Sequence, residues 1–126
     1  MKNLAKTVRW IGPSKKDLRA LPKAIRQDVG LSLWDVQRGR TPLDAKVLHG
    51  FAGASVLEIR ADYLGNTYRA VYTVRFGEFV YVLHVFQKKS KKGSKTPANI
   101  IELIRQRLKK AEKDYEEWQA TEGNPN

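Results

Sequence analysis

The sequence predicts an α+β fold in which two N-terminal helices pack on a small antiparallel β-sheet and a long helix closes the chain. Two observations lead to this prediction. Apolar residues recur with helical spacing over residues 22–38 and 97–118. Between these segments lie three runs rich in β-branched and aromatic residues, which are typical of strands. We expect residues 1–118 to form a single domain and residues 119–126 to be a frayed tail.

A strand and a helical pair are predicted for the first third of the chain. Residues 5–11 are rich in β-branched and aromatic types and predict a strand. Ser14, followed by Asp17, has the spacing of a capping box at the start of a helix. Gly39 is expected just past the end of a second helix. Four apolar residues of that helix recur at helical spacing: Ile25, Val29, Leu33 and Val36.

A loop and an antiparallel meander are predicted next. Residues 40–54 contain proline and glycine without a sustained period and predict a loop. If Gly77 and Glu78 form a two-residue turn, Phe76 pairs with Phe79 and fixes the register of the last two strands. The three predicted strands are residues 56–60, 67–76 and 79–87.

The register divides the meander into two faces. One face is nearly all apolar and is expected to bury against the N-terminal helices. It carries Tyr68, Ala70, Tyr72, Val74, Phe76, Phe79, Tyr81, Leu83 and Val85. The opposite face, with Glu58 as its one acid, is expected to be exposed and basic, although an ordinary solvated sheet face is the alternative. Across three strands this opposite face collects Arg60, Arg69, His84 and Lys88.

A lysine-rich segment, residues 88–95, leads into the long C-terminal helix. Thr96 is expected to cap this helix and Pro97 to occupy its first position. Its apolar stripe comprises Ile100, Ile104, Leu108, Ala111, Tyr115 and Trp118.

The composition narrows the possible functions. A formal net charge of +11 favours a nucleic-acid partner. The chain has no cysteine and two histidines, so we expect neither a structural metal nor a cofactor. Because no apolar run is long enough for a signal peptide or a membrane span, we expect a cytoplasmic protein with no membrane partner.

The basic face suits metal-independent RNA cleavage. RNA supplies its own 2′-hydroxyl nucleophile, so the protein has to move protons and stabilise phosphoryl oxygens. His84 is the candidate proton carrier, although a structural histidine is the alternative. Arg69 suits a grip on two phosphate oxygens, and Lys88 or Lys89 could act as acid or base.

Further residues are expected to bind RNA. Lys91, Lys92 and Lys95 of the lysine-rich segment would form a flexible phosphate clamp. Phe86 would either stack on a displaced base or contact the last helix. The candidate RNA-binding residues are Lys46, Arg60, Arg75, Phe86, Lys91, Lys92 and Lys95.

Four segments carry a resemblance to a known family. They are Lys46-Val47-Leu48-His49-Gly50, Leu57-Glu58-Ile59-Arg60, Tyr68-Arg69-Ala70-Val71-Tyr72, and Leu83-His84-Val85-Phe86-Gln87-Lys88-Lys89 leading to Lys95-Thr96-Pro97. On these residues the chain resembles the RelE/ParE superfamily of toxins from type II toxin–antitoxin modules, and in particular its phage-derived HigB-like branch.

The resemblance implies a microbial ribonuclease-like fold and ribosome-dependent cleavage of messenger RNA. It implies catalytic roles for Arg69, His84, Lys88 and Lys89, and a contribution from Lys46. It also implies a cognate helix-turn-helix antitoxin, with a monomeric free toxin and a hetero-oligomeric complex. Two alternatives stay open: a ParE-like gyrase-inhibiting toxin that cleaves no RNA, and a non-catalytic nucleic-acid-binding module.

Overall fold

A computed structural model describes residues 5–88 and 96–123 of the chain. The candidate residues Lys89, Lys91, Lys92 and Lys95 lie outside these ranges. Within them, no helix is long and apolar enough to cross a membrane. The elements in chain order are β1 (Thr7–Trp10), α1 (Ser14–Arg19), α2 (Lys23–Gln37), β2 (Ala45–Val47), β3 (Val56–Tyr63), β4 (Asn66–Thr73), β5 (Phe79–Lys88) and α3 (Ala98–Trp118).

The strands form one five-stranded sheet in the order β1-β5-β4-β3-β2. The predicted α+β class and the antiparallel meander β3-β4-β5 are confirmed. The sheet is mixed rather than wholly antiparallel, because β1 pairs in parallel with β5, with Thr7 opposite Phe79. Strands β1 and β2 lie at opposite edges of the sheet, and α1 and α2 connect them.

Both faces of the sheet are covered by helices. The α2 residues Ile25, Val29, Leu33 and Val36 are buried against one face, as their spacing predicts. On the opposite face α3 buries the middle of its predicted stripe, with Ile104 fully buried. The prediction that this second face is open to solvent is therefore wrong over the area that α3 covers.

A β-bulge corrects the predicted division of β5 between the faces. Val71 pairs with His84 but Tyr72 pairs with Val82, so Leu83 is an extra residue on β5. The extra residue reverses the alternation. Phe79, Tyr81 and Leu83, predicted to face α2, pack in the cluster beneath α3, and Val80 and Val82 take their place against α2.

The turn before β5 is also longer than predicted. Strand β4 ends at Thr73, so Phe76 and Phe79 do not form the expected ladder pair. Instead the Phe79 amide donates to the Phe76 carbonyl across the turn. Val74, predicted to be inward, is 38% exposed because it lies outside the sheet.

The segment predicted as a loop over residues 40–54 contains two short elements. Ala45–Val47 forms β2, which pairs with β3 and places Lys46 opposite Glu58. Ala52–Ala54 forms a 3₁₀ turn. Three-residue elements are too short to produce a periodic pattern, which explains why the sequence did not predict them.

The helix ends differ from the predicted caps in two of three cases. Gly39 ends α2 as predicted, with φ of 85° and its amide bonded to the Val36 carbonyl. Ser14 and Thr96 do not cap their helices. The Ser14 hydroxyl donates to the Val82 carbonyl instead, and Thr96 takes part in the site described below. Gln119–Gly123, predicted to be frayed, continues α3 as a π-helical turn.

The acidic end of α3 is anchored to the first and last strands. Asp114 accepts hydrogen bonds from Arg9 Nη1 at 2.6 Å and from the Tyr81 hydroxyl at 2.7 Å. One turn further on, Trp118 packs edge-on against Phe79 with ring centroids 4.9 Å apart. These contacts hold α3 across the sheet.

Replacing Gly77 is expected to destabilise the contact between this helix and the β4–β5 turn. Gly77 has φ of 54°, and a Cβ atom there would lie 2.8 Å from Cζ of Tyr115. We expect Gly77→Ala to cost at least about 2 kcal/mol more than Gly65→Ala in urea unfolding. Gly65 is the control because its φ is 80° but a Cβ atom there would have no neighbouring atom within 4 Å. Equal losses of unfolding free energy in the two variants would show that the close contact with Tyr115 does not restrict residue 77.

Candidate active site

A buried ion pair forms the floor of the candidate site. Arg69 on β4 donates from Nη1 to Oε1 of Glu58 on β3 at 3.0 Å, and their side chains are only 1% and 4% exposed. The hydroxyl of Thr96 accepts from the same Arg69 nitrogen at 3.0 Å and donates to Glu58 Oε2 at 3.2 Å. Two buried charges persist only when they are paired and hydrogen-bonded, and these three side chains meet that requirement.

The burial of Arg69 corrects the prediction that it lies exposed on an open face. Thr96, two residues before α3, contacts the arginine, whose side chain is buried. Arg69 Nε is the one buried side-chain nitrogen or oxygen without a hydrogen-bond partner in residues 5–88 and 96–123. The guanidinium therefore retains an unused donor after Glu58 and Thr96 are satisfied.

A pocket of about 330 Å³ opens above this ion pair. Its walls come from β2 and the residues after it, from β3, and from the first turn of α3. The lining residues are Lys46, Val47, Leu48, His49, Glu58, Thr96 and Ile101. The pocket thus combines a carboxylate, a hydroxyl, an imidazole and an ammonium group at one place.

Three of the predicted cations lie near the ion pair. Lys46 is opposite Glu58, Arg60 is opposite Arg69, and Lys88 ends β5 opposite Thr67. Desolvation and then the charges of Arg69, Arg60 and Lys46 lower the pKa of Lys88, against the effect of Glu58. Because Glu58 neutralises Arg69, the charge presented to a ligand comes from these three outer cations.

His84 lies on the predicted face but is not accessible as predicted. It is 9% exposed, and its ring stacks on Phe86 at a centroid distance of 4.8 Å. Arg107 Nη1 lies 2.9 Å from His84 Nδ1 and also donates to the Leu83 carbonyl at 3.0 Å. Since a guanidinium can only donate, Nδ1 must accept and the neutral ring carries its proton on Nε2. Burial, and then the charge of Arg107, lower the pKa of His84 to about 4, while Asp17 opposes them.

Two further RNA-binding candidates lie away from the pocket lining. Phe86 is opposite Arg69 but packs against the cluster beneath α3, which is the second of the two interpretations given for it. Arg75 donates to the Ser55 hydroxyl at 2.6 Å and to the Ala52 carbonyl at 3.3 Å. It lines a different groove.

Three polar residues of the pocket were not among the predicted site residues. His49 was noted only as part of a motif, although it is exposed and lines the pocket, in contrast to the buried His84. Glu58 was seen as the one acid on a basic face, which was the available signal for a buried ion pair. Thr96 gave no such signal, because a threonine before Pro97 is equally typical of a helix cap.

The fold and the site define a small α+β protein with a basic pocket built over a buried arginine. The model of the family described as "phage derived protein Gp49-like" matches residues 16–109, which is most of the chain. The chain belongs to this family, and the resemblance to phage-derived toxins of the RelE type is confirmed.

No curated protein sequence matches the chain. Among solved structures, the chain is similar to one in the crystal structure of the toxin–antitoxin complex RelBE2 from Mycobacterium tuberculosis, with 24% sequence identity and a TM-score of 0.47. The similarity covers 67% of this chain and 99% of that chain.

Loss of Arg69 is expected to destabilise the protein far more than loss of its exposed neighbour Arg60. Arg69→Ala leaves the Glu58 carboxylate buried without its partner, which costs roughly 3–5 kcal/mol. Arg60→Ala removes a cation whose side chain is 49% exposed and pairs with the exposed Asp62, and should cost less than about 1 kcal/mol. Urea unfolding of both variants measures the difference. Similar losses would mean that the buried pair does not hold β3, β4 and α3 together.

Stability is expected to fall in acid because of His84. In the unfolded chain its pKa is about 6.5, whereas in the folded protein it is about 4. Between these values the unfolded state binds the extra proton, so the free energy of unfolding decreases as the pH falls from about 6.5 to 4, by about 2 kcal/mol after allowance for solvent screening. We expect His84→Gln to flatten this part of the profile and His49→Gln to leave it intact. An unchanged profile in His84→Gln would contradict the assignment.

Proposed function

We propose that the protein is the toxin of a type II toxin–antitoxin module and that it cleaves messenger RNA on the ribosome without a metal ion. The observation that carries the proposal is the buried Arg69–Glu58 pair at the floor of a pocket that Lys46 and His49 line, with Arg60 and Lys88 nearby on β3 and β5. Cations beside a neutral ion pair are suited to a phosphodiester, whose negative charge grows as the phosphorus is attacked.

The phosphate would be held above a fixed floor. Arg69 is buried and fixed by two hydrogen bonds from Nη1, and together with Thr96 it holds the Glu58 carboxylate in place. Lys46 on the pocket wall and Arg60 opposite Arg69 contribute long-range attraction. A fixed polar floor with exposed cations beside it would favour one orientation of the phosphate.

Proton transfer is assigned to His49 and Lys88 rather than to His84. His49 is exposed on the pocket wall, and its imidazole has one nitrogen that can accept a proton and one that can donate. The lowered pKa of Lys88 makes its ammonium group a better acid for the departing 5′-oxygen. His84 is held neutral by Arg107 under α3 and supports Phe86 instead. Lys89 keeps its proposed catalytic role, and Lys91, Lys92 and Lys95 their role as a phosphate clamp.

The proposal includes the partners that family membership suggests. A cognate antitoxin, a helix-turn-helix DNA-binding protein, would neutralise the toxin in a hetero-oligomeric complex, and the free toxin would be a cytoplasmic monomer. An acidic segment of such an antitoxin would find electrostatic complementarity at the basic pocket.

Mapping of RNA ends on one defined message in a purified translation system tests this function. We expect the wild type to cut the message, His49→Ala to cut it about 10² to 10⁴ times more slowly, and Lys46→Ala about tenfold more slowly. Arg26→Ala is the control, since Arg26 is exposed on α2 and its side chain bonds to the Leu21 carbonyl, away from the pocket lining. It should cut at the wild-type rate.

Three results would contradict parts of the proposal. Intact message in every reaction overturns the nuclease activity. Cleavage of ribosome-free RNA at the same rate removes the ribosome from the mechanism. Normal cleavage by His49→Ala, with the variant folded, shows that His49 carries no proton in the reaction.

A further inference from the structure

A second groove follows the candidate active pocket along α3. It has a volume of about 300 Å³ and lies between α3, the 3₁₀ turn after β2 and the end of β4. Ile101 lines the pocket, and Arg105, Leu108, Lys109 and Glu112 line the groove on the following turns of the same helix. With a rise of 1.5 Å per residue, Lys109 lies about 12 Å beyond Ile101 along the helix axis. The pocket and the groove therefore follow one another along the same helix.

The groove is basic, and two of its cations are held in place. Arg105 donates to the Gly50 carbonyl at 3.1 Å, and its guanidinium lies 4.9 Å above the ring of Phe51. Arg75 is bonded to Ser55 and Ala52 on the other wall. Because these arginines are already ordered, binding an anion costs them little conformational entropy. Their ordering distinguishes the groove from an ordinary solvated charged surface.

The third cation, Lys109, has no structural task among the described residues. It is exposed on α3 and makes no hydrogen bond or ion pair there, whereas Arg105 also pairs with Glu102 at 3.7 Å. Glu112 is the single acid of the lining, so Arg75, Arg105 and Lys109 leave a net charge of +2 in the groove. That surplus favours a polyanion.

We propose that this groove binds the backbone phosphates of the RNA strand on one side of the cleavage site. The inference rests on the proposed function, since the strand must first occupy the active pocket. A stacked strand advances about 3.4 Å per nucleotide, so a path of about 12 Å places the bound phosphates three or four nucleotides from the scissile bond. Arg105 covers one face of the Phe51 ring, and the polar contacts that the groove offers come mainly from its cations, which favours binding of the backbone over binding of a base.

RNA of two lengths tests the groove. The probes are RNAs blocked against cleavage by a 2′-deoxynucleotide at the cut site, either short or extended by about four nucleotides on the 5′ or the 3′ side. We expect the wild type to gain at least fivefold in affinity from one of the two extensions, measured by fluorescence anisotropy. Lys109→Glu should lose that gain while binding the short RNA as the wild type does. Its salt dependence should be shallower by about 0.7, the slope for one single-strand phosphate.

Lys110→Glu is the matched control. It makes the same charge change at the adjacent exposed position of α3, outside the groove lining. We expect it to keep the gain from the extension. If Lys109→Glu and Lys110→Glu show the same gain in affinity from the extension, the groove proposal is overturned. The proposed function still stands in that case if the wild type cleaves the message. A wild type that neither cuts nor binds RNA overturns both. If Lys109→Glu keeps the RNA gain but loses affinity for the antitoxin, the groove is a protein-binding surface instead.

Discussion

The buried hydrogen-bonded contact among Glu58, Arg69 and Thr96 is the constraint on which the site depends. It joins β3 and β4 to Thr96, which lies just before α3. The start of the helix and the charged side chains are therefore positioned together. A guanidinium enclosed in this way keeps its orientation, but it contributes no net charge because the carboxylate neutralises it. The attraction for a polyanion is therefore left to the surrounding lysines and arginines, which are exposed and screened by salt.

The β-bulge at Leu83 determines which residues of β5 pack against α2 and which pack against α3. Before the bulge, alternate residues of β5 face α2 and α3, and after it the alternation is reversed. Strict alternation would place Tyr81 on the opposite face from His84 and Phe86. Because of the bulge, all three lie on the α3 side of the sheet, which is also the side of Arg69. Arg107 stabilises the irregularity, since it donates to the Leu83 carbonyl and to His84 Nδ1. The histidine that the sequence offers as a proton carrier thus belongs to the support of the bulge.

Periodic patterns predicted the fold well, whereas single residues did not predict that Arg69 and His84 are buried. The spacing of Ile25 to Val36 and the stripe on α3 correspond to what is buried, because burial of a helix face requires that spacing. The bulge was not predictable, since one extra residue leaves the composition of β5 unchanged while exchanging its faces. The burial of Arg69 was unpredictable for a similar reason, because an arginine in a strand looks the same in the sequence whether it is exposed or paired beneath a helix. Thr96 and Ser14 were expected as caps and bind elsewhere, because a hydroxyl serves either purpose.

The parallel pairing of β1 with β5 has a consequence for synthesis of the chain. The partner of β1 lies about 70 residues further along, and contacts so distant in sequence form late. Thr96 and α3, which complete the pocket, follow later still. On a translating ribosome the nascent chain can therefore expose its N-terminal helices well before the pocket exists. A product truncated before Thr96 would carry the arginine and the glutamate without the segment that buries them. Such fragments would lack the enclosed guanidinium, so the assembled pocket requires the chain through the first turn of α3.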